Sequence, residues 1–218
     1  SMWQGGGADG LRPKGFAELW TSNIRPILEY DSELWEGDRV AKRWTDKFET
    51  LQYSWCKAAL KLKGNPAAVG VRAEMCITLL QSRRQARKLG YWGKPCSAES
   101  ERLLSVVFRR RQAEVVAGTA PRSCLVAFQE VLMEHGFTEQ WAACDITDSW
   151  GSDVYRAATE KADQRDAAEM AESSSLVRYV GLGHEAADGV PPYLQDFSNR
   201  EGTRLVTKCR LNYLMLME

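Results

Sequence analysis

The sequence predicts an all-α fold, an irregular bundle of about six to eight helices packed on shared apolar faces. Three observations predict it. Apolar residues recur at spacings of three and four along most of the chain. Glycine and proline fall between the patterned segments, where helices have to stop. No stretch shows the period-two alternation or the Val/Ile-rich runs of a sheet. With 218 residues, of which 44% are hydrophobic and 27% charged, the chain has an ordinary globular composition and enough material for a real core.

Ser1-Met2 reads as the remnant of a cleaved tag and Gly5-Gly6-Gly7 as a flexible lead-in, so residues 1–15 are set aside. The first patterned segment is Phe16 to Tyr30, interrupted by Pro26, where a kink or break is expected. Next, Val40, Trp44, Phe48, Leu51, Trp55, Ala58 and Leu62 recur at spacings of 4, 4, 3, 4, 3 and 4, which puts them on one helical stripe. Gly64-Asn65-Pro66 ends that helix. A third helix is expected from Arg72 to Trp92, stopped by Gly93-Lys94-Pro95, and a fourth from Ala98 to Ala117, closed by Gly118 and Pro121. Ser123 to Glu134 makes a fifth, with Gly136 just past its end. Asp145 to Gly151 reads as a loop, and Asp153 to Ala171 as a long polar helix. A short helix at Ser173 to Gly181, a connection to Pro192 and a last helix from Thr203 to Met217 complete the chain.

A formal charge of zero hides an asymmetry. From Arg39 to Arg122 there are 18 Lys and Arg against 6 Asp and Glu, a net of +12, while residues 1–38 carry −4 and residues 123–218 carry −8. The charge change near residue 122 suggests a basic helical region over 16–122 and an acidic one over 123–218. Such a dipole implies an anionic ligand at the middle, or acidic segments folding back on it.

The sharpest feature is Ser82-Arg83-Arg84-Gln85-Ala86-Arg87-Lys88. On a helix Arg83 faces Arg87 and Arg84 faces Lys88, and like charges at that spacing cost a few tenths of a kcal/mol unless an anion neutralises them. Arg109, Arg110 and Arg111 add a second cluster, and Lys42, Arg43 and Lys47 line the polar side of the Trp-bearing helix. These ten cations form a candidate phosphate-binding set for an RNA or DNA duplex held by its backbone. The competing reading is solvated helix faces, or pairing with acidic residues of this chain or of a protein partner. Trp44 and Trp55 fall on the apolar stripe and are read as core, whereas Trp3 and Trp92 are freer, and an exposed one would stack on a base.

Nothing in the sequence argues for an enzyme. Asp145, Asp148 and Asp153 lack convergent ligands for metal chemistry, and Asp148, Ser149, Ser152 and Asp153 are better read as helix caps. Neither the six cysteines nor the two histidines form a zinc-ligand pattern, and no cofactor motif is present. The cysteines read as reduced, mostly buried thiols of an intracellular protein, nuclear or cytoplasmic. No apolar run approaches the roughly 18 residues needed to span a bilayer.

The segment Ile24-Arg-Pro-Ile-Leu-Glu-Tyr-Asp-Ser-Glu-Leu-Trp35, followed by Leu80-Gln-Ser-Arg-Arg84, Ala86-Arg-Lys-Leu89 and Tyr91-Trp92, resembles the helical thumb of non-LTR (LINE-type) retrotransposon reverse transcriptases. Ser174-Ser175-Leu176 to Tyr179, Tyr193-Leu194 and Arg204-Leu205 to Arg210-Leu211 resemble the post-polymerase linker of the same family. The chain departs from the family at Asp31, where glycine is usual, and holds no paired aspartates and no Cys/His knuckle. The resemblance implies a noncatalytic thumb and linker that grips a template–primer duplex, in a retroelement protein or a host protein derived from one.

Overall fold

The computed structural model describes residues 12–35, 39–97, 102–120, 123–176, 179–180, 191–195 and 200–211. Among them there is no strand, and the protein is all-α. The α-helices are α1 (Pro13–Leu19), α2 (Arg25–Leu28), α3 (Ser32–Trp35), α4 (Arg39–Ala59), α5 (Ala68–Glu74), α6 (Leu80–Ser97), α7 (Leu103–Val116), α8 (Cys124–Glu134), α9 (Thr138–Ala143), α10 (Trp150–Glu172), α11 (Pro192–Gln195) and α12 (Arg200–Arg210). A π-helical turn, Trp20–Ile24, joins α1 to α2, and a 3₁₀ turn spans Ser174–Leu176.

Helix ends explain where the structure departs from the sequence reading. Gly118 and Gly136, with φ of 72° and 82°, close α7 and α8 in the left-handed conformation expected of them. Lys61 and Cys76 adopt φ of 51° without being glycine. At each, two backbone bonds wrap the last turn: Leu62 N–H to Lys57 O and Lys61 N–H to Ala58 O, then Ile77 N–H to Arg72 O and Cys76 N–H to Ala73 O. The expected Arg72–Trp92 helix is therefore two helices, α5 and α6. Conversely, α6 runs through Gly93 and Pro95 to Ser97 instead of stopping at them. The expected disruption at Pro26 takes the form of the π turn just before it, where Arg25 N–H reaches back to Trp20 O. Of the last expected helix, the part beyond Leu211 lies outside the described residues.

The chain divides into two units that are not the two charge regions. Unit 1 is residues 1–28, 48–79 and 164–218, and unit 2 is residues 29–47 and 80–163. Their boundaries fall inside α4 and α10, and the charge change at residue 122 falls inside unit 2. Long-range burial, not local charge, decides which segments cluster.

Unit 1 packs Cys56 and Ala59 of α4 and Leu60 just after it with Val69 and Val71 of α5, Phe16, Leu176, Tyr179, Leu194 and Leu211. The buried stripe of α4 is displaced from the expected one, since Gln52 and Cys56 are fully buried while Leu51 is 45% exposed. Gln52 is drawn inward by a bond from its side-chain N–H to Thr78 O at 2.9 Å. Trp55 is half-buried, donating its indole N–H to Phe16 O at 3.1 Å with its ring edge-on to Phe16. The side chain of Trp44 lies outside the described residues.

Unit 2 is built on α6. Leu89, Trp92 and Cys96 pack with Val115 of α7, Phe128 and Leu132 of α8, Trp141 of α9, and Trp150 and Val154 of α10. Trp92 is therefore a core residue, fully buried between Trp141 and Trp150, and not a free ring for base stacking. The polar helix α10 buries Trp150, Val154, Ala158 and Ala162, one residue per turn.

Candidate nucleic-acid interface

The Arg83–Lys88 cluster folds on α6 of unit 2, and its four cations divide into two kinds. Arg84 and Lys88 are buried, with the Lys88 ammonium 4.9 Å from the centre of the Phe128 ring. Side chains held inside the unit do not reach a duplex backbone, which corrects the expectation for these two. Arg83 and Arg87 stay partly accessible, but they face the buried carboxylate of Glu29 at 2.8 and 3.6 Å, and Arg87 also meets Glu33 at 3.5 Å. The anion that relieves their like-charge contact is thus supplied by this chain.

Glu29 is the residue that sequence reasoning missed. The signal was present: Glu29 and Glu33 are four apart, as are Arg83 and Arg87. The acidic partners of these two arginines come from the N-terminal segment, whereas residues 123–218 supply Asp166 and Glu169 to Arg72 within unit 1, at 3.1 and 3.6 Å. Glu29→Gln is expected to lower the stability of unit 2 by about 2 kcal/mol, because two arginines lose the charge between them. Urea denaturation of the variant beside the parent checks this, and an unchanged midpoint would count against the ion-pair network.

Arg109, Arg110 and Arg111 are placed differently. They lie on the exposed side of α7, with Arg110 and Arg111 83% and 62% exposed. Both contact Glu114 of their own helix, at 3.7 and 2.9 Å, so one carboxylate answers two guanidinium groups. Arg109 is exposed and lies near enough to Cys144 for its charge to act on that thiol. Lys47 is exposed on α4, and the side chains of Lys42 and Arg43 lie outside the described residues. The helix buries only a narrow strip, Ser105, Gln112 and Val115. Ser105 donates to Pro95 O at 3.0 Å and Gln112 donates to Trp141 O, which fixes the orientation of α7 and leaves its basic side facing solvent.

Elsewhere in unit 2 an open polar cleft of about 330 Å³ is lined by residues including His135, Gln140, Thr147, Asp153, Arg156 and Glu160. Hydroxyls of Ser149 and Thr147, at 2.6 and 3.1 Å, hold the Asp153 carboxyl below the usual carboxylate range, and Arg156 pairs with it at 2.8 Å. These side-chain contacts tie down the first turn of α10. Burial lowers the His135 pKa, and its Nδ1 faces Val131 O at 2.9 Å. Among the described residues no group of three His, Cys, Asp or Glu side chains is placed to hold a metal ion, and no helix is long and apolar enough to cross a membrane.

The chain matches no protein-family model, no curated protein and no solved structure.

Proposed function

We propose that this chain is a noncatalytic nucleic-acid-binding module that grips a duplex by its backbone, with α7 as the contact helix. The observation that carries the reading is the exposed run Arg109-Arg110-Arg111, whose charge is only partly answered by Glu114. Guanidinium groups in that setting bind phosphate in a fork and do not read base sequence. The likeness of Ile24–Trp35 and Leu80–Trp92 to a LINE-type reverse transcriptase thumb supports the same reading, with the linker-like C-terminal segments as a further part of such a protein. Lys47, exposed on α4, is a further phosphate contact in this proposal.

A protein partner is the second reading. The N-terminal half of α7 exposes Leu103, Leu104, Val106 and Val107, an apolar patch beside the arginines.

Fluorescence anisotropy of a labelled duplex at several salt concentrations separates the two. The nucleic-acid reading expects sequence-insensitive binding that weakens with salt, by a log–log slope of roughly 0.9 per phosphate contact on duplex DNA. Changing all three arginines of α7 to alanine should reduce that slope by about two to three, while Arg84→Ala should act on stability and leave the slope alone. Absence of binding at low salt would sink the proposal and favour the protein partner.

A further inference from the structure

We propose that Cys96 and Cys144 form a modification site, a dithiol that a peroxide-class oxidant closes into a reversible disulfide within unit 2. The proposal rests on the placement of the two sulfurs and shares only Arg109 with the contact helix α7. The two residues are 48 apart in sequence, yet their sulfurs touch at 3.2 Å. Cys96 sits in the last turn of α6, after Pro95, and is buried. Cys144 ends α9 in the left-handed conformation, with φ of 48°, and remains partly open to solvent. Both are anchored in the aromatic core around Trp92 and Trp150, so the juxtaposition is held by packing and not by chance approach of surface chains.

The surroundings assign the two sulfurs different roles. The contact with Cys96, together with the Arg109 guanidinium, lowers the pKa of the Cys144 thiol and favours its thiolate. The same contact and burial push Cys96 up, keeping its proton in place. Cys144, the sulfur partly open to solvent, is the one a peroxide meets first, and the buried Cys96 is the resolving thiol. The Cys144 thiolate attacks one oxygen of hydrogen peroxide, breaks the O–O bond and becomes a sulfenic acid as hydroxide leaves and takes up a proton. The Cys96 sulfur, giving up its own proton, then displaces the sulfenic oxygen as a second water and forms the S–S bond. Two thiols and one peroxide yield one disulfide and two waters, with two electrons passing from sulfur to oxygen. A thiol reductant such as dithiothreitol reverses the step by exchange. The other four cysteines are set differently: Cys56 is buried and pushed up to about 12, Cys76 is half-buried, and Cys124 and Cys209 lie exposed.

The test treats the full chain with one equivalent of hydrogen peroxide, alkylates the remaining thiols and maps the peptides without reduction. The expected product joins the Cys96 and Cys144 peptides, is cleaved by dithiothreitol, and raises the unfolding temperature by roughly 5 °C. Replacing Cys124 and Cys209 by serine should leave that product intact. Cys144→Ser should abolish both the cross-link and the temperature rise. Should that variant fail to fold, Cys96→Ala serves instead, and Cys144 should then be trapped as a sulfenic acid by dimedone. Recovery of Cys96 and Cys144 as free alkylated thiols while Cys124 or Cys209 is oxidised would overturn the proposal. So would a sulfenic or sulfinic Cys144 in the parent chain beside an intact Cys96 thiol.

Discussion

Arg210→Ala is expected to lower the stability of unit 1 by about 3–5 kcal/mol, the scale for removing one partner of a buried ion pair. Glu74, at the end of α5, is completely buried, and its carboxylate meets the Arg210 guanidinium of α12 at 2.6 Å. The Tyr193 hydroxyl donates to the other carboxylate oxygen, and Arg210 also lies over the rings of Tyr179 and Tyr193, 5.3 and 5.7 Å from their centres. The partners are 136 residues apart in sequence, so the pair ties the C-terminal helix to α5. Truncating Arg210 leaves a carboxylate in an apolar core with one hydroxyl to answer it. Burial and the Glu74 charge also push the Tyr179 and Tyr193 phenols up, so neither ring ionises to compete with Glu74 for the guanidinium. The control is the double change Glu74→Leu with Arg210→Met, which removes both charges and should recover most of the loss. Urea denaturation followed by circular dichroism reads all three proteins. A loss below about 1 kcal/mol in Arg210→Ala would show that solvent, and not the guanidinium, supports Glu74.

The second large effect is expected at Trp150, where alanine should cost about 3–5 kcal/mol. Its indole lies against the backbone of α6 at Gly93, and its N–H donates to Leu89 O at 3.0 Å. The ring also packs on Trp92 and Phe137, with centres 5.2 and 4.8 Å away. A Cβ at position 93 would fall 2.5 Å from the indole nitrogen and overlap the adjacent ring carbon. Gly93→Ala in the parent should therefore cost about 1–3 kcal/mol by forcing the indole away. In a Trp150→Ala background the same change should cost almost nothing, because the space it needs has been vacated. A double-mutant cycle measured by thermal and urea denaturation reads this coupling directly. Additive costs would mean that Gly93 matters for backbone freedom and not for the approach of Trp150.

That pair also shows what the sequence alone concealed. Gly93-Lys94-Pro95 has the composition of a helix stop, yet α6 continues through it. The glycine is there to admit an indole from 57 residues away, and local propensity carries no record of a tertiary contact. Cys76 gives the converse case, ending α5 in the left-handed conformation without a glycine to announce it.

The sequence by itself determined the all-α class, the long helices α4, α7, α8 and α10, and the ends of α7 and α8. Those properties follow from periodicity and from glycine at φ above zero, which are local. Only the tertiary structure decided which cations reach solvent. Helical spacing places Arg83 beside Arg87 and Arg84 beside Lys88, but it says nothing of which face the unit covers. Packing around α6 buries Arg84 and Lys88, the latter against Phe128 of α8, Glu29 answers Arg83 and Arg87, and α7 keeps its arginines outside. Burial and pairing are properties of residues distant in sequence, so a charge count along the chain cannot assign them.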